Sequence, residues 1–213
     1  MPFTRALLVL ALLLALPATA TARSVRDPDI GWPEKLRHEL RLARPSTRAC
    51  TRDLTRAMRA LQDRVDDHSP FEALRAIFHY RWGDAWYDPC DGGRLKVGVP
   101  PAPAAAVRRT VLQARALVAR RGLARDVALV AVRSTYRELS DAQDRLDAQF
   151  DDLYRQALIE SGIETDRNTI VYEVARPVQG ADWQRLADAA LRAPVNVVLH
   201  RVNRDDLVAT QLR

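Results

Sequence analysis

The chain has 213 residues, 47% of them hydrophobic, enough for one or two small domains with a buried core. Its net charge is +6 and its pI 9.9. The cations are nearly all arginine and are interleaved with acids, as in Arg52-Asp53 and Arg64-Val65-Asp66-Asp67. That pattern is a mixed, solvated surface, and with no stripe, finger or aromatic platform it argues against a nucleic-acid partner.

In chain order, Arg5 precedes an apolar run from Ala6 to Leu16, and Ala20-x-Ala22 follows as a small-residue cleavage site. Residues 1–22 therefore read as a secretory signal peptide; an uncleaved anchor is the alternative. No later segment is apolar enough to be a transmembrane helix, so the mature chain is expected to be exported, periplasmic or extracellular, with no stable membrane insertion. Residues 23–82 read as a helical region. Pro33 starts a helix with Leu36, Leu40 and Ala43 on its apolar face, and Pro45 ends it. Ser46 or Thr47 can cap a second helix, in which Cys50, Leu54, Ala57, Met58, Leu61 and Val65 recur at helical spacing. Ser69 can cap a third, with Phe71, Leu74, Ile77 and Phe78 on one face.

The periodicity changes at Gly83. Residues 83–160 form a first unit: a hairpin with Trp86 and Tyr87 on one strand and Leu95, Val97 and Val99 alternating on the other, joined by a Pro/Gly/Asp turn. Ala104 to Arg121 reads as a helix ended by Gly122. Val127 to Val132 is a continuous apolar run, a buried strand. Ser140-x-x-Gln143 has the spacing of a capping box and opens a helix carrying Leu146, Phe150, Leu153, Tyr154 and Leu158. Residues 161–213 repeat the order: strand from Gly162 to Thr165, turn, strand from Thr169 to Ala175, a helix capped by Asp182, and a closing strand from Val195 to His200. The fold class is α+β: N-terminal helices, then two hairpin–helix–strand units, each a small three-stranded sheet with helices on one face.

Chemistry-bearing patterns are sparse. Gly-x-Ser-x-Gly is not present, Asp66-Asp67 and Asp151-Asp152 are helix neighbours that point apart, and no phosphate-binding glycine loop occurs. His38, His68, His79 and His200 are scattered without metal-ligand spacing. Neither catalytic residues nor metal ligands nor a cofactor is expected, and the chain reads as a binding protein rather than an enzyme. The cysteines, Cys50 and Cys90, read as one disulfide in an oxidising compartment, with two buried free thiols as the alternative.

Three stretches carry a family resemblance. Ala85-Trp86-Tyr87-Asp88 with Gly93-Arg94-Leu95-Lys96-Val97-Gly98-Val99 is similar to the first hairpin of the pro-region of the α-lytic protease and streptogrisin family of secreted bacterial chymotrypsin-like proteases. Val132 to Leu139 leading into a helix, and Thr165 to Val174, resemble its central strand–helix and second hairpin. The match spans Phe71 to Arg204. In that family the pro-region speeds folding of its protease and then inhibits it. The resemblance implies that the second sheet augments a protease hairpin and that the C-terminal tail lies product-like in the cleft. The implied partner contacts are Val197, Leu199, Arg201, Asp205, Leu207, Gln211, Leu212 and Arg213, with Arg213 as the terminal side chain. The chain ends there without Gly-Asp-Ser-Gly, so the expectation is a stand-alone foldase or inhibitor of a secreted serine protease. The alternative is an exported adaptor or peptide-binding module on the same scaffold.

Overall fold

The computed structural model describes residues 31–45, 50–68 and 70–211, with side chains to Leu207 at the C-terminal end. The signal-peptide segment, the Ser46, Thr47 and Ser69 caps, and Leu212 and Arg213 lie outside the described residues. The fold is α+β. Among the described residues are eight α-helices and two three-stranded sheets of mixed direction.

The first sheet has the order β1 (Ala85–Asp88), β2 (Arg94–Val99), β3 (Val127–Ala131). β1 and β2 are antiparallel, with Trp86 opposite Lys96; β2 and β3 are parallel, with Leu95 opposite Val127. The hairpin turn follows from its residues. The Asp88 carboxylate accepts from the Cys90 and Asp91 N–H groups, and Gly92 and Gly93 take φ of 65° and 79°. Those left-handed conformations suit glycine. At the other end the chain crosses itself closely: a Cβ on Gly83 would lie 2.7 Å from the Gly98 carbonyl. The parallel return needs a crossover, supplied by α4 (Ala104–Arg120).

The second sheet repeats this topology with β4 (Ile159–Glu164), β5 (Thr169–Ala175) and β6 (Val197–Val202), and with α7 (Gly180–Arg192) as the crossover. Here Asn168, at φ 50°, takes the left-handed place that glycine holds in the first turn. In each unit alternate residues along each strand share one sheet face and are buried: Leu95, Val97 and Val99 with Leu129 in the first, Ile170, Tyr172 and Val174 with Leu199 in the second.

The cores divide the chain differently from the boundaries at 82/83 and 160/161. The first core includes Leu36 and Leu40 around α1 (Glu34–Glu39), Val65 of α2 (Arg56–Asp67), and Leu74 and Phe78 of α3 (Phe71–Phe78). These helices are a layer of the first unit. The second core begins at Leu139 and takes in α5 (Tyr136–Asp147) and α6 (Asp151–Arg155). Residue 160 falls inside β4.

Five helix expectations change. α1 ends at Glu39, well before Pro45, and Ala43 forms a β-bridge with Val130 instead of lying on the helix face. α2 starts at Arg56, not near Cys50, because Thr55 caps it by accepting from the Met58 N–H. α5 is opened by Thr135 and Glu138 in a reciprocal capping box; Ser140 lies within the helix. The helix expected through Leu158 breaks after Asp147 and resumes as α6. Asp182 sits in the first turn of α7 and Gln179 holds the cap position, without a side-chain cap bond.

Cys50 and Cys90 form a disulfide with Cα atoms 5.9 Å apart. It ties the segment leading into α2 to the β1–β2 turn. A loop of separation 40 gives about 4 kcal/mol in the chain-entropy model.

Candidate functional site

β6 is an edge strand, and the direction of its peptide groups follows from its bonds to β5. The Ile170 N–H donates to the Asn196 carbonyl (2.9 Å) and the Arg176 N–H to the Val202 carbonyl (2.9 Å). In a parallel pair, alternate residues face the neighbour. Residues 196, 198, 200 and 202 therefore face β5, and Val197, Leu199 and Arg201 present N–H and C=O to the open side. Among the described residues none of those six groups has a backbone partner. β4 is the opposite edge, where Ile159, Ser161 and Ile163 face outward in the same way.

The side chains of the implied contact set are placed less uniformly. Val197 is 0% and Leu199 1% exposed, both in the second core. Only their main chain is available to a partner. The Arg201 guanidinium stacks on the Trp183 ring, 3.8 Å from its centroid, and donates to the carbonyls of Ala175, Arg176 and Val178. Burial, and then the nearby Arg176 charge, lower its pKa. Asp205, Leu207 and Gln211 lie in α8 (Arg204–Gln211), so the tail is helical here rather than extended. Asp205 and Asp206 occupy the first turn, where the helix dipole favours negative charge, and Leu207 is fully buried.

The strand that carries this edge is held on a firm base. At the half-buried margin of the second core the Asp147 carboxylate accepts from Tyr154 Oη (2.6 Å), Tyr172 Oη (2.5 Å) and Ser161 Oγ (3.1 Å), and Gln143 Nε2 donates to Ser161 Oγ (2.7 Å). Burial first, then the bond to Asp147, raises the pKa of both tyrosines. This network ties the end of α5 and the end of α6 to β4 and β5. The acidic group beside Ser161 Oγ is the Asp147 carboxylate, which it shares with the two tyrosine hydroxyls.

The two units meet at Asn168. Its side-chain amide donates to the Ser134 carbonyl (2.9 Å) and accepts from the Ser134 N–H (2.8 Å), with both residues buried. The Cys50, Asp88 and Cys90 side chains also cluster. The two sulfurs are bonded to each other, and Asp88 is engaged by the turn amides.

Sequence patterning identifies β6 as a strand but not which of its groups are free, because that depends on which neighbour takes the other edge. The Asp147 network and the Asn168 clamp join residues far apart in the chain, and no local signal marks them. No helix among the described residues is long and apolar enough to cross a membrane. No protein-family model and no curated protein matches the chain.

Proposed function

We propose that this chain is an exported, pro-region-like protein that binds a chymotrypsin-like serine protease, speeding its folding and inhibiting it. It acts by adding its second sheet, along β6, to a strand of the protease, and not by catalysis. The observation that carries this reading is the row of outward N–H and C=O groups at Val197, Leu199 and Arg201, free of backbone partners among the described residues and backed by a packed core. Strand addition draws its affinity from such main-chain groups. The duplicated hairpin–helix–strand order supports the same scaffold, and the disulfide fits an oxidising compartment. Product-like insertion of Asp205 to Arg213 requires α8 to unwind, releasing Leu207 from its buried position.

The test is inhibition and refolding of the chymotrypsin-like proteases secreted by the same organism. Arg201→Pro removes one outward N–H at an edge position, where proline is tolerated. Arg201→Ala removes the same side-chain stack but keeps the N–H. The wild-type protein should inhibit and accelerate refolding, and Arg201→Pro should bind about fivefold more weakly than Arg201→Ala, as expected for one main-chain hydrogen bond of about 1 kcal/mol. Wild-type protein that neither inhibits nor accelerates refolding sinks the proposal. Equal affinities of the two variants sink the β6 assignment.

A further inference from the structure

The first unit has its own partly vacant edge. β3 faces β2 through its even-numbered residues and the two that flank it: the Leu95 N–H donates to the Asp126 carbonyl (3.0 Å) and the Val132 N–H to the Val99 carbonyl (3.1 Å). Val127, Leu129 and Ala131 therefore face outward. Ala43 fills part of that edge as a parallel bridge opposite Val130. Its N–H donates to the Leu129 carbonyl (3.0 Å), and its carbonyl accepts from the Ala131 N–H (2.8 Å). Just upstream the chain has left the edge. Arg41 sits at φ 46°, and the Leu42 N–H turns back to the Arg37 carbonyl (3.0 Å). Among the described residues the Val127 carbonyl and the Leu129 N–H have no backbone partner.

A cleft of about 760 Å³ opens at this point, a volume in the range of ligand sites. Arg41, Arg94, Arg115 and His38 line it over an apolar base that includes Val118 and Leu129, and no carboxylate is among its described lining residues. The Arg94 Nε is buried without a hydrogen bond, while its guanidinium reaches Asp91 at 3.4 Å. Arg115 donates to the Leu40 and Arg41 carbonyls and so fixes the loop that carries Arg41. A non-glycine residue at positive φ is strained, and such strain tends to collect at functional sites.

We infer that this cleft captures the free α-carboxylate end of an extended polypeptide. The last residue lies parallel to β3 opposite Ala128, its N–H donating to the Val127 carbonyl and its carboxylate accepting from the Leu129 N–H beside the three arginines. The direction follows from the vacancy. One free C=O and one free N–H two residues apart are the parallel pattern, which Ala43 already uses next door. An antiparallel strand would need the Leu129 carbonyl, which Ala43 occupies. A parallel strand must stop at this point, because Ala43 holds the edge opposite Val130 and the chain leading into it through Leu42 blocks the way. A chain end therefore fits where a continuous strand does not, and its carboxylate meets the cationic wall. The inference is independent of the protease reading, since β3 and β6 belong to different sheets.

Fluorescence anisotropy with fluorescein-labelled hexapeptides of five alanines and a randomised last residue tests it. Three pools are compared on the intact protein: free acid, C-terminal amide, and free acid with the last peptide nitrogen methylated. The free acid should bind about tenfold more tightly than either of the others, as expected for loss of one charge-assisted contact or one strand bond. Arg41→Gly suits the positive φ and removes the guanidinium; it should weaken the free acid about tenfold and leave the amide unchanged. If that variant does not fold, the methylated pool still tests the geometry on the wild-type protein. Equal binding of acid and amide, no saturable binding of the acid, or an undiminished methylated pool overturns the inference.

Discussion

Asn168 offers a direct test of how the two units are joined. It holds a left-handed conformation (φ 50°, ψ 52°) that asparagine tolerates better than most residues, and its amide makes two hydrogen bonds to the Ser134 backbone at 2.8 and 2.9 Å. Asn168 and Ser134 are 1% and 4% exposed, so water does not replace a lost partner. Asn168→Gly keeps the backbone conformation and leaves the Ser134 N–H and C=O unsatisfied. At about 1–3 kcal/mol for each buried group, the cost is about 2–6 kcal/mol. Asn168→Ala loses the same bonds and adds about 1–2 kcal/mol for an L-residue in that region. Urea unfolding followed by circular dichroism and tryptophan fluorescence measures both. The order should be wild type, then Gly, then Ala. An Asn168→Gly cost below about 0.5 kcal/mol would refute the clamp, because the two bonds would then contribute nothing net.

Two further outcomes follow from single interactions. The Cys50–Cys90 bond should leave no alkylatable thiol in the native protein, and the double serine variant should lose about 4 kcal/mol of stability; two reactive thiols without reductant would contradict the bond. Burial, and then the neighbouring Glu164, raise the pKa of the Asp166 carboxyl. The folded protein therefore holds that proton more tightly than the unfolded chain, so ionisation costs stability above the folded pKa and nothing below the unfolded value of about 4. Asp166→Asn should raise the melting temperature near pH 7, with the gain shrinking as pH falls towards about 3; a gain independent of pH would contradict it.

Much of the fold was legible because local chemistry decided it. Leu95, Val97 and Val99 alternate, Asp88 to Gly93 can only turn, and the run from Val127 to Val132 has the length of a buried strand. The helix start is ambiguous in the sequence because two Ser/Thr-x-x-Glu/Gln patterns follow one another, Thr135–Glu138 and Ser140–Gln143. The apolar face from Leu139 through Ala142 to Leu146 selects the earlier one, since Leu139 must already be helical to join the core. The unit boundaries were not legible, because an amphipathic helix shows that it packs but not on which sheet. Val197 and Leu199 illustrate the limit for the site. Their apolar character marks core side chains, while the property relevant to a partner lies in main-chain groups whose direction depends on β5. The cleft joins Arg41, Arg94 and Arg115, which only the tertiary fold brings together.

Strand addition along β6 would bond its outward peptide groups, and amide hydrogen exchange reads them one by one. The free protein and its mixture with a chymotrypsin-like serine protease of the same organism are compared, with the protease inactivated at its nucleophile. New protection is expected at the Val197, Leu199 and Arg201 amides, while Val198 and His200, already bonded to β5, change little. Unchanged exchange at those three amides, or protection confined to Ile159, Ser161 and Ile163 of β4, would contradict it.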